Sequence, residues 1–348
     1  MPTTIINGNA VKIAQKVAVL SDCAIYSHCP HHVDVIETHM AWVFLAGELV
    51  FKMKKPVRYE FLDFTTLSAR EFTCREELRL NCRLAPDIYH DVVPLREDQV
   101  GALTFAGDGP IVEWLVKMKR LPADRMLDYA IEHGTAREAD VVGFAEKLAA
   151  FYRAAPPVAQ SIEQVCQRFA AEHERNAVLL SDVRFELDHV MTGIMLAGMT
   201  KALSTARPLL SLRVEAGAFL EGHGDLRPEH VCLIAPAVAI DCLEFNRDMR
   251  LVDPFDEIAF LDLECERLGA PWVGQKVFNI CQRELSSRLP DGLFAFYRSA
   301  RALLRARLAL AHLIEPNPRM PAKWEPRART YIKIADAALT RFEAAVSR

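Results

Sequence analysis

The stretch His223-Gly224-Asp225-Leu226-Arg227-Pro228-Glu229-His230 gathers side chains that can act on a phosphate, and Asp241 follows sixteen residues after Asp225. Between the two carboxylates lie two short apolar runs, 231–234 and 237–240, split by Ala235-Pro236. Runs of this kind around a turn read as a tight hairpin, whose two ends return to the same small volume. The spacing therefore predicts that Asp225 and Asp241 are neighbours. Two carboxylates with an adjacent cation, Arg227, suit phosphoryl transfer. One acid orients a hydroxyl nucleophile, the other holds a divalent metal, and the positive charge offsets charge developing on the phosphate.

This segment resembles the catalytic loop of the aminoglycoside phosphotransferases and choline kinases, H-G-D-x-x-x-x-N, and at one remove that of protein kinases, H-R-D-x-K-P-E-N. The resemblance implies that Asp225 is the catalytic aspartate, that Arg227 stands for the lysine two places on, and that Asp241 is the metal-binding aspartate at the hairpin's end. It implies an α+β, bilobal, protein-kinase-like fold, with a small antiparallel-sheet N-lobe over 1–120 and a larger, mostly helical C-lobe over 121–348. It also implies ATP and Mg²⁺ between the lobes, and a small molecule whose hydroxyl accepts the phosphate. One position departs from the pattern. His230 stands where the family carries the metal-binding Asn, and imidazole is a poorer ligand for hard Mg²⁺ than an amide oxygen, which brings Mn²⁺ into consideration.

The elements that must position these residues come earlier in the chain. Residues 10–24 carry apolar residues at helical spacing, and three strand runs follow at 33–36, 42–45 and 49–53, with Ala46-Gly47-Glu48 as a hairpin turn. Within Phe51-Lys52-Met53-Lys54-Lys55-Pro56, the resemblance makes Lys52 the strand lysine on the α- and β-phosphates. Lys54 shares its face by alternation and is the competitor, and a solvated lysine in a basic run is the plainer alternative. Lys52 is preferred because Pro56 should end the strand and leave Lys54 at a frayed edge.

The loop over the phosphates would be Glu37-Thr38-His39-Met40, which has no glycine. Thr38 either offers its hydroxyl and N–H to a phosphate or caps the turn. A charged helix over 68–84 has Leu80 and Leu84 on one stripe with Glu77 on the same face. A carboxylate on a buried helix edge needs a partner, and Lys52 is the obvious one, the lysine-to-helix-glutamate pair that the resemblance implies. Glu76 is the alternative, or both lie on a solvated face. Strands at 99–105 and 111–118 flank Gly107-Asp108-Gly109-Pro110, and the hinge is expected at 117–121, where the resemblance has the backbone of Met118 meet the adenine edge.

Beyond it the pattern is helical: 124–132, 136–155, 161–172, 178–204, 209–220, 272–288, 292–313 and 327–346. Asp253 is expected to cap a helix that begins with acidic residues. Arg301, Arg305 and Arg307 form either a basic cleft wall or ion pairs to nearby acids. Glu244, Asp248 and Glu264 are acidic candidates for a cationic acceptor.

The whole order resembles a bacterial group in which such a phosphotransferase-like domain is joined to a P-loop ATPase domain. The phrases that carry the likeness are Glu37-Thr-His-Met-Ala-Trp-Val-Phe-Leu45, Phe51-Lys-Met-Lys-Lys-Pro-Val57 and His223-Gly-Asp-Leu-Arg-Pro-Glu-His230. No G-x-x-x-x-G-K-[ST] occurs in these 348 residues, so no ATPase half is expected among them.

Composition narrows the classes. About half the residues are apolar, the net charge is −4 and the pI is near 6.3, which gives no electrostatic reason to expect nucleic acid or an anionic membrane. No run reaches the ~20 apolar residues of a membrane span, and the first residues lack the form of a signal peptide, so the expected compartment is the cytoplasm. Nine cysteines without C-x-x-C fit free thiols. Cys23, His28, Cys29, His31 and His32 are zinc-type residues within ten positions but match no standard zinc module; the alternative is an ordinary loop. An ATP-dependent small-molecule kinase is the leading expectation. The alternative keeps the fold without the reaction, as a nucleotide-binding or protein-interaction module.

Overall fold

The computed structural model describes residues 11–59, 61–285, 288–315 and 318–348. The chain forms two compact units: the first runs to Arg125 and takes in Val238–Met249, and the second comprises Met126–Ala237 and Arg250–Arg348. The first is built on an antiparallel sheet and the second on helices, so the fold class is α+β. Sequence reasoning placed 238–249 with the helical part. Those residues count with the sheet because Asp241, Cys242 and Glu244 bond to its strands and helix.

In the first unit, α1 (Ile13–Leu20) and a 3-10 turn at Cys23–Ile25 precede β1 (Val33–Glu37), β2 (Ala41–Ala46) and β3 (Leu49–Lys54). β4 (Arg58–Tyr59) pairs with β5 (Leu62–Asp63), and α2 (Leu67–Asn81), β6 (Tyr89–Glu97), β7 (Leu103–Thr104) and β8 (Ile111–Lys119) follow. The six-stranded sheet has the order β1-β2-β3-β8-β6-β7, antiparallel throughout. Gly47 takes φ +63° in the β2–β3 turn, a left-handed conformation that glycine adopts without a Cβ penalty. Phe44, Ala46, Phe51, Met53, Leu95 and Leu115 pack with Leu20 and Tyr26 into one core. Because strand side chains alternate, Phe51 and Met53 face that core while Lys52 and Lys54 leave from the other side.

Three sequence expectations change here. Residue 10 of the expected first helix lies outside the described residues, and α1 stops at Leu20, where Asp22 starts the 3-10 turn by accepting the Ala24 N–H at 2.9 Å. The strand expected at 99–105 shrinks to Leu103–Thr104, and the long strand is Tyr89–Glu97 instead. His90, Asp91 and Pro94 hide it in the sequence. Pro94 is tolerated because β7 pairs only with Arg96 and Glu97, which leaves Pro94 on an unpaired edge. Lys54, finally, is not frayed: it ends β3 in register with Ala41 and is 1% exposed.

The second unit contains α3 (Leu127–Glu132), α4 (Glu138–Ala154), α5 (Ile162–Leu180), α6 (His189–Glu215), β9 (Leu220–Glu221) and β10 (Val231–Cys232). After β11 (Val238–Ala239), which belongs to the first unit, come β12 (Leu251–Val252), α7 (Pro254–Arg267), α8 (Pro271–Glu284), α9 (Leu293–Ile314) and α10 (Pro321–Val346). β9 pairs with β12. α5 runs past the expected end at 172 because its polar face has partners: Glu172 and Asn176 receive Arg307 at 2.6 and 2.8 Å. The two helices expected over 178–204 and 209–220 are one, α6, which carries Pro208 inside it. α8 ends at Glu284, and residues 286–287 of the expected helix lie outside the described residues. α10 begins six residues before the expected 327, with Pro321 in its first turn, where its missing N–H costs no helical bond.

Candidate active site

Lys52 is where the first unit concentrates charge. Its Nζ donates to Glu77 Oε1 at 2.9 Å and to Asp241 Oδ1 at 2.6 Å. Glu77 reaches it from α2, whose inward face carries Arg70, Thr73, Cys74, Glu77, Leu80 and Asn81 at helical spacing. That face is mostly polar, and its charges have partners: Arg70 grips Glu113 at 2.7 and 3.0 Å, and Glu77 holds two lysines. Glu76, one residue away, pairs with Arg79 at 2.8 Å, so the helix glutamate on Lys52 is Glu77. Lys54 is the second lysine on Glu77, Nζ to Oε2 at 2.5 Å, and it also binds Glu244.

Burial works against the charged forms of Lys52, Lys54, Glu77 and Glu244, and their neighbours oppose it. Lys52 is desolvated, yet Asp241 and Glu77 hold its pKa well above the ordinary value. Burial would raise Glu77, but Lys52 and Lys54 turn the shift downward. Glu244 goes the other way: burial raises it more than Lys54 lowers it. Asp241 itself sits at φ +60°, a left-handed conformation that a short polar side chain tolerates. Its N–H donates to Tyr89 Oη at 3.1 Å and the next N–H, of Cys242, donates to Asn81 Oδ1 at 2.9 Å.

The second unit carries the loop 223–230. Gly224 takes φ +87°, and its N–H donates to the buried carboxylate of Glu257, on α7. Tyr152 Oη, on α4, donates to the same carboxylate at 2.8 Å. A Cβ on Gly222 would lie 2.6 Å from Glu257 Oε1 and Oε2, so the backbone can reach this anchor only as glycine. Beyond the anchor, Asp225 projects toward Arg227, whose Nη2 donates to Oδ2 at 2.8 Å and whose Nε lies 2.8 Å from Oδ1. Glu229 takes the Arg227 Nη1. Burial would raise the Asp225 pKa, but the Arg227 guanidinium draws it below the ordinary range, so the group is a carboxylate at neutral pH.

His230 braces this pair. Its Nδ1 is 2.8 Å from the Asp225 carbonyl, which can only accept, so Nδ1 carries the hydrogen and Nε2 presents a lone pair. Arg227 Nη2 lies 3.2 Å from that Nε2. With one ring nitrogen on a carbonyl and the other on a guanidinium, His230 does not fit a metal ion as placed. Asp241 does fit one: it is a hard oxygen donor with its side chain 44% exposed.

The other candidate residues have partners within the fold. Thr38 Oγ1 accepts the Ala41 N–H at 3.0 Å, the turn-capping alternative. Met118 lies inside β8, opposite Val50 and Tyr89, so its backbone belongs to the sheet; the chain leaves β8 after Lys119. Glu264 is fully buried, gripped by Arg305 at 2.6 Å, Arg267 at 2.7 Å and Tyr331 at 2.7 Å, and is no open acceptor site. Arg301 and Arg305 form ion pairs with Asp256 and Glu264, and Arg307 with Glu172, rather than a basic wall. Asp253 caps α7 through the Phe255 N–H at 3.0 Å and also holds Arg213. The Cys23 to His32 residues do not converge as ligands: His28 bonds to Ala46 O and His32 to Asp34. Sequence reasoning missed Glu257 as the loop's anchor and Lys54 as a buried partner. The alternation of Lys52 and Lys54 was the signal for the second.

No family model matches the chain. Uncharacterized proteins of Mycobacterium tuberculosis (strain H37Rv) and Mycobacterium bovis are 30% identical to it over 301 residues, which is 83% of this chain and 57% of theirs. The chain thus spans somewhat more than half the length of the curated relatives it matches. Among solved structures, a choline/ethanolamine kinase family protein from Mesorhizobium loti aligns with a TM-score of 0.56 at 14% identity, covering 95% of this chain and 99% of that one. A choline kinase from Cryptosporidium parvum aligns with a TM-score of 0.51 at 10% identity, covering 91% and 93%. The fold is therefore kinase-like, with the antiparallel sheet as the N-lobe counterpart and the helical unit as the C-lobe counterpart. Among the described residues no helix is long and apolar enough to cross a membrane.

Proposed function

We propose that this chain is an ATP-dependent phosphotransferase that passes the γ-phosphate to a hydroxyl of a small molecule. The observation that supports this most is Lys52, held between the buried Glu77 and the half-exposed Asp241 on a kinase-like sheet. A lysine kept charged against burial by two carboxylates is suited to the α- and β-phosphates of a nucleotide. Asp241 would hold the divalent cation, Mg²⁺ or Mn²⁺, which when bound supplies charge neutralisation on the phosphates. Asp225 would accept the acceptor's hydroxyl proton as its oxygen bonds to the γ-phosphorus and the bond to the β-phosphate oxygen breaks, releasing ADP. Arg227 would turn from Asp225 to the γ-phosphate, offsetting its charge and freeing the base. The likeness to the bacterial group with a joined P-loop ATPase domain makes such a domain the candidate for the extra length of the relatives.

A second reading, a nucleotide-binding or interaction module without turnover, draws support from the cover that Arg227 places on Asp225 and from His230 in place of the patterned Asn. Calorimetry with ATP and either Mg²⁺ or Mn²⁺, on wild type and Asp241→Ala, tests both. Metal-dependent binding that the substitution removes is the expected result, and acceptor screening by phosphate transfer follows from it. Absence of binding with either metal would overturn the phosphotransferase reading.

A further inference from the structure

Lys54 is a buried lysine with no role in the proposed reaction. Its side chain is 2% exposed, and it is wedged between Glu77, 0% exposed, and Glu244, 8% exposed. Burying three charged groups together is costly unless each has a partner, and removing one would strand the others. The arrangement has a topological consequence. Asp241 binds Lys52, Lys52 binds Glu77, Glu77 binds Lys54, and Lys54 binds Glu244, three residues along the backbone from Asp241. The chain of ion pairs therefore closes into a ring through the segment 241–244, with β3 and α2 as its rigid sides.

One end of that segment is held by its backbone. The N–H groups of Asp241 and Cys242 are fixed by Tyr89 and Asn81. Glu244 is the side chain that carries the other end down to β3, and between the two anchors Asp241 keeps its left-handed backbone. We propose that Lys54 and Glu244 are positioning residues that fix the segment carrying Asp241, so that its carboxylate is aimed at the metal before nucleotide arrives. This rests on the phosphotransferase reading of Asp241 and deepens it. It also replaces the expectation that Glu244 binds a cationic acceptor: its carboxylate is committed to Lys54.

The test is ATP affinity measured by calorimetry with Mn²⁺ and again with metal chelated, on wild type and on the paired variant Lys54→Met/Glu244→Gln. The pair removes one charge of each sign, so Glu77 keeps Lys52 and no isolated charge is left buried. The metal-dependent gain in affinity should fall about tenfold in the variant, since a small displacement of a positioned group costs that much or more. Metal-free binding should stay within about twofold. Equal loss in both conditions would make the pair a general scaffold, and no loss in either would make it irrelevant to Asp241; each overturns the proposal. If the paired variant fails to fold, Glu244→Asp, which keeps the charge but withdraws it by one methylene, is read in the same way. A wild type that binds no ATP with either metal would instead refute the phosphotransferase reading itself.

Discussion

Asp225→Asn separates the chemical part of the catalytic loop from its structural part. The carboxylate accepts Arg227 Nη2 at 2.8 Å and lies 2.8 Å from its Nε, with the two side chains 30% and 16% exposed. An asparagine keeps one acceptor oxygen but turns an N–H₂ toward the guanidinium, so one of the two contacts is lost. A partly exposed charge-assisted contact lies between a surface pair and a buried one, and the expected loss is about 1 kcal/mol of stability. Arg227 keeps Glu229 and His230, so the loop should hold its shape. Transfer should suffer far more: removing a general base costs about 10²- to 10⁴-fold in rate. Nucleotide affinity should remain within about threefold, because no phosphate or metal contact is assigned to Asp225. ADP release in the presence of ATP, metal and a panel of hydroxyl acceptors, set beside calorimetric ATP binding, measures both. Transfer retained within about threefold, or nucleotide binding lost along with transfer, would refute the role given to Asp225.

His230→Asn should leave metal-dependent ATP affinity within about threefold, because the ring braces Arg227 instead of reaching a metal, while transfer drops about tenfold; a tenfold fall in metal-dependent affinity would make His230 a ligand. Gly274→Ala places a Cβ 2.5 Å from the Asp262 Cα and 2.3 Å from its Oδ1, so α7 and α8 must part, and denaturant unfolding should show a loss of about 3 kcal/mol or more. A change under about 0.5 kcal/mol would mean the two helices are not in that contact. Asp262 also gives the fold a pH dependence. Burial, opposed by Arg298, raises its pKa to about 6 from an ordinary 3.8, so between those values the native state holds a proton that the unfolded state has released. Stability should therefore fall as pH rises through 4 to 6, by roughly 3 kcal/mol in this group's contribution, and Asp262→Asn should flatten that slope; an unchanged slope in the variant would refute the assignment.

Much of the fold was legible because local patterning and global packing agree. Short apolar runs mark β2 and β3, and Gly47 marks their turn. The failures have physical causes. Tyr89–Glu97 breaks the strand pattern with His90, Asp91 and Pro94, which are tolerable because β7 covers only Arg96 and Glu97 on that side of the strand. α5 and α6 run further than composition suggests because Arg307 answers the polar face of one, and packing carries the other past Pro208.

By itself the sequence determined which side chains are available and in what order: an H-G-D loop with Arg227, a second aspartate sixteen residues on, a strand lysine, and a helix glutamate. It also limited Lys52 and Lys54 to one face, since strand periodicity leaves no choice. Only the tertiary structure decided which partners those charges find. Glu77 takes both lysines, Glu244 goes to Lys54, His230 turns its lone pair to Arg227, and Glu257 reaches from α7 to hold the loop at Gly224. Each of these pairings joins residues on different elements or depends on a ring orientation. A buried charge is tolerated only where a partner arrives in space, and nothing in the linear spacing records that arrival.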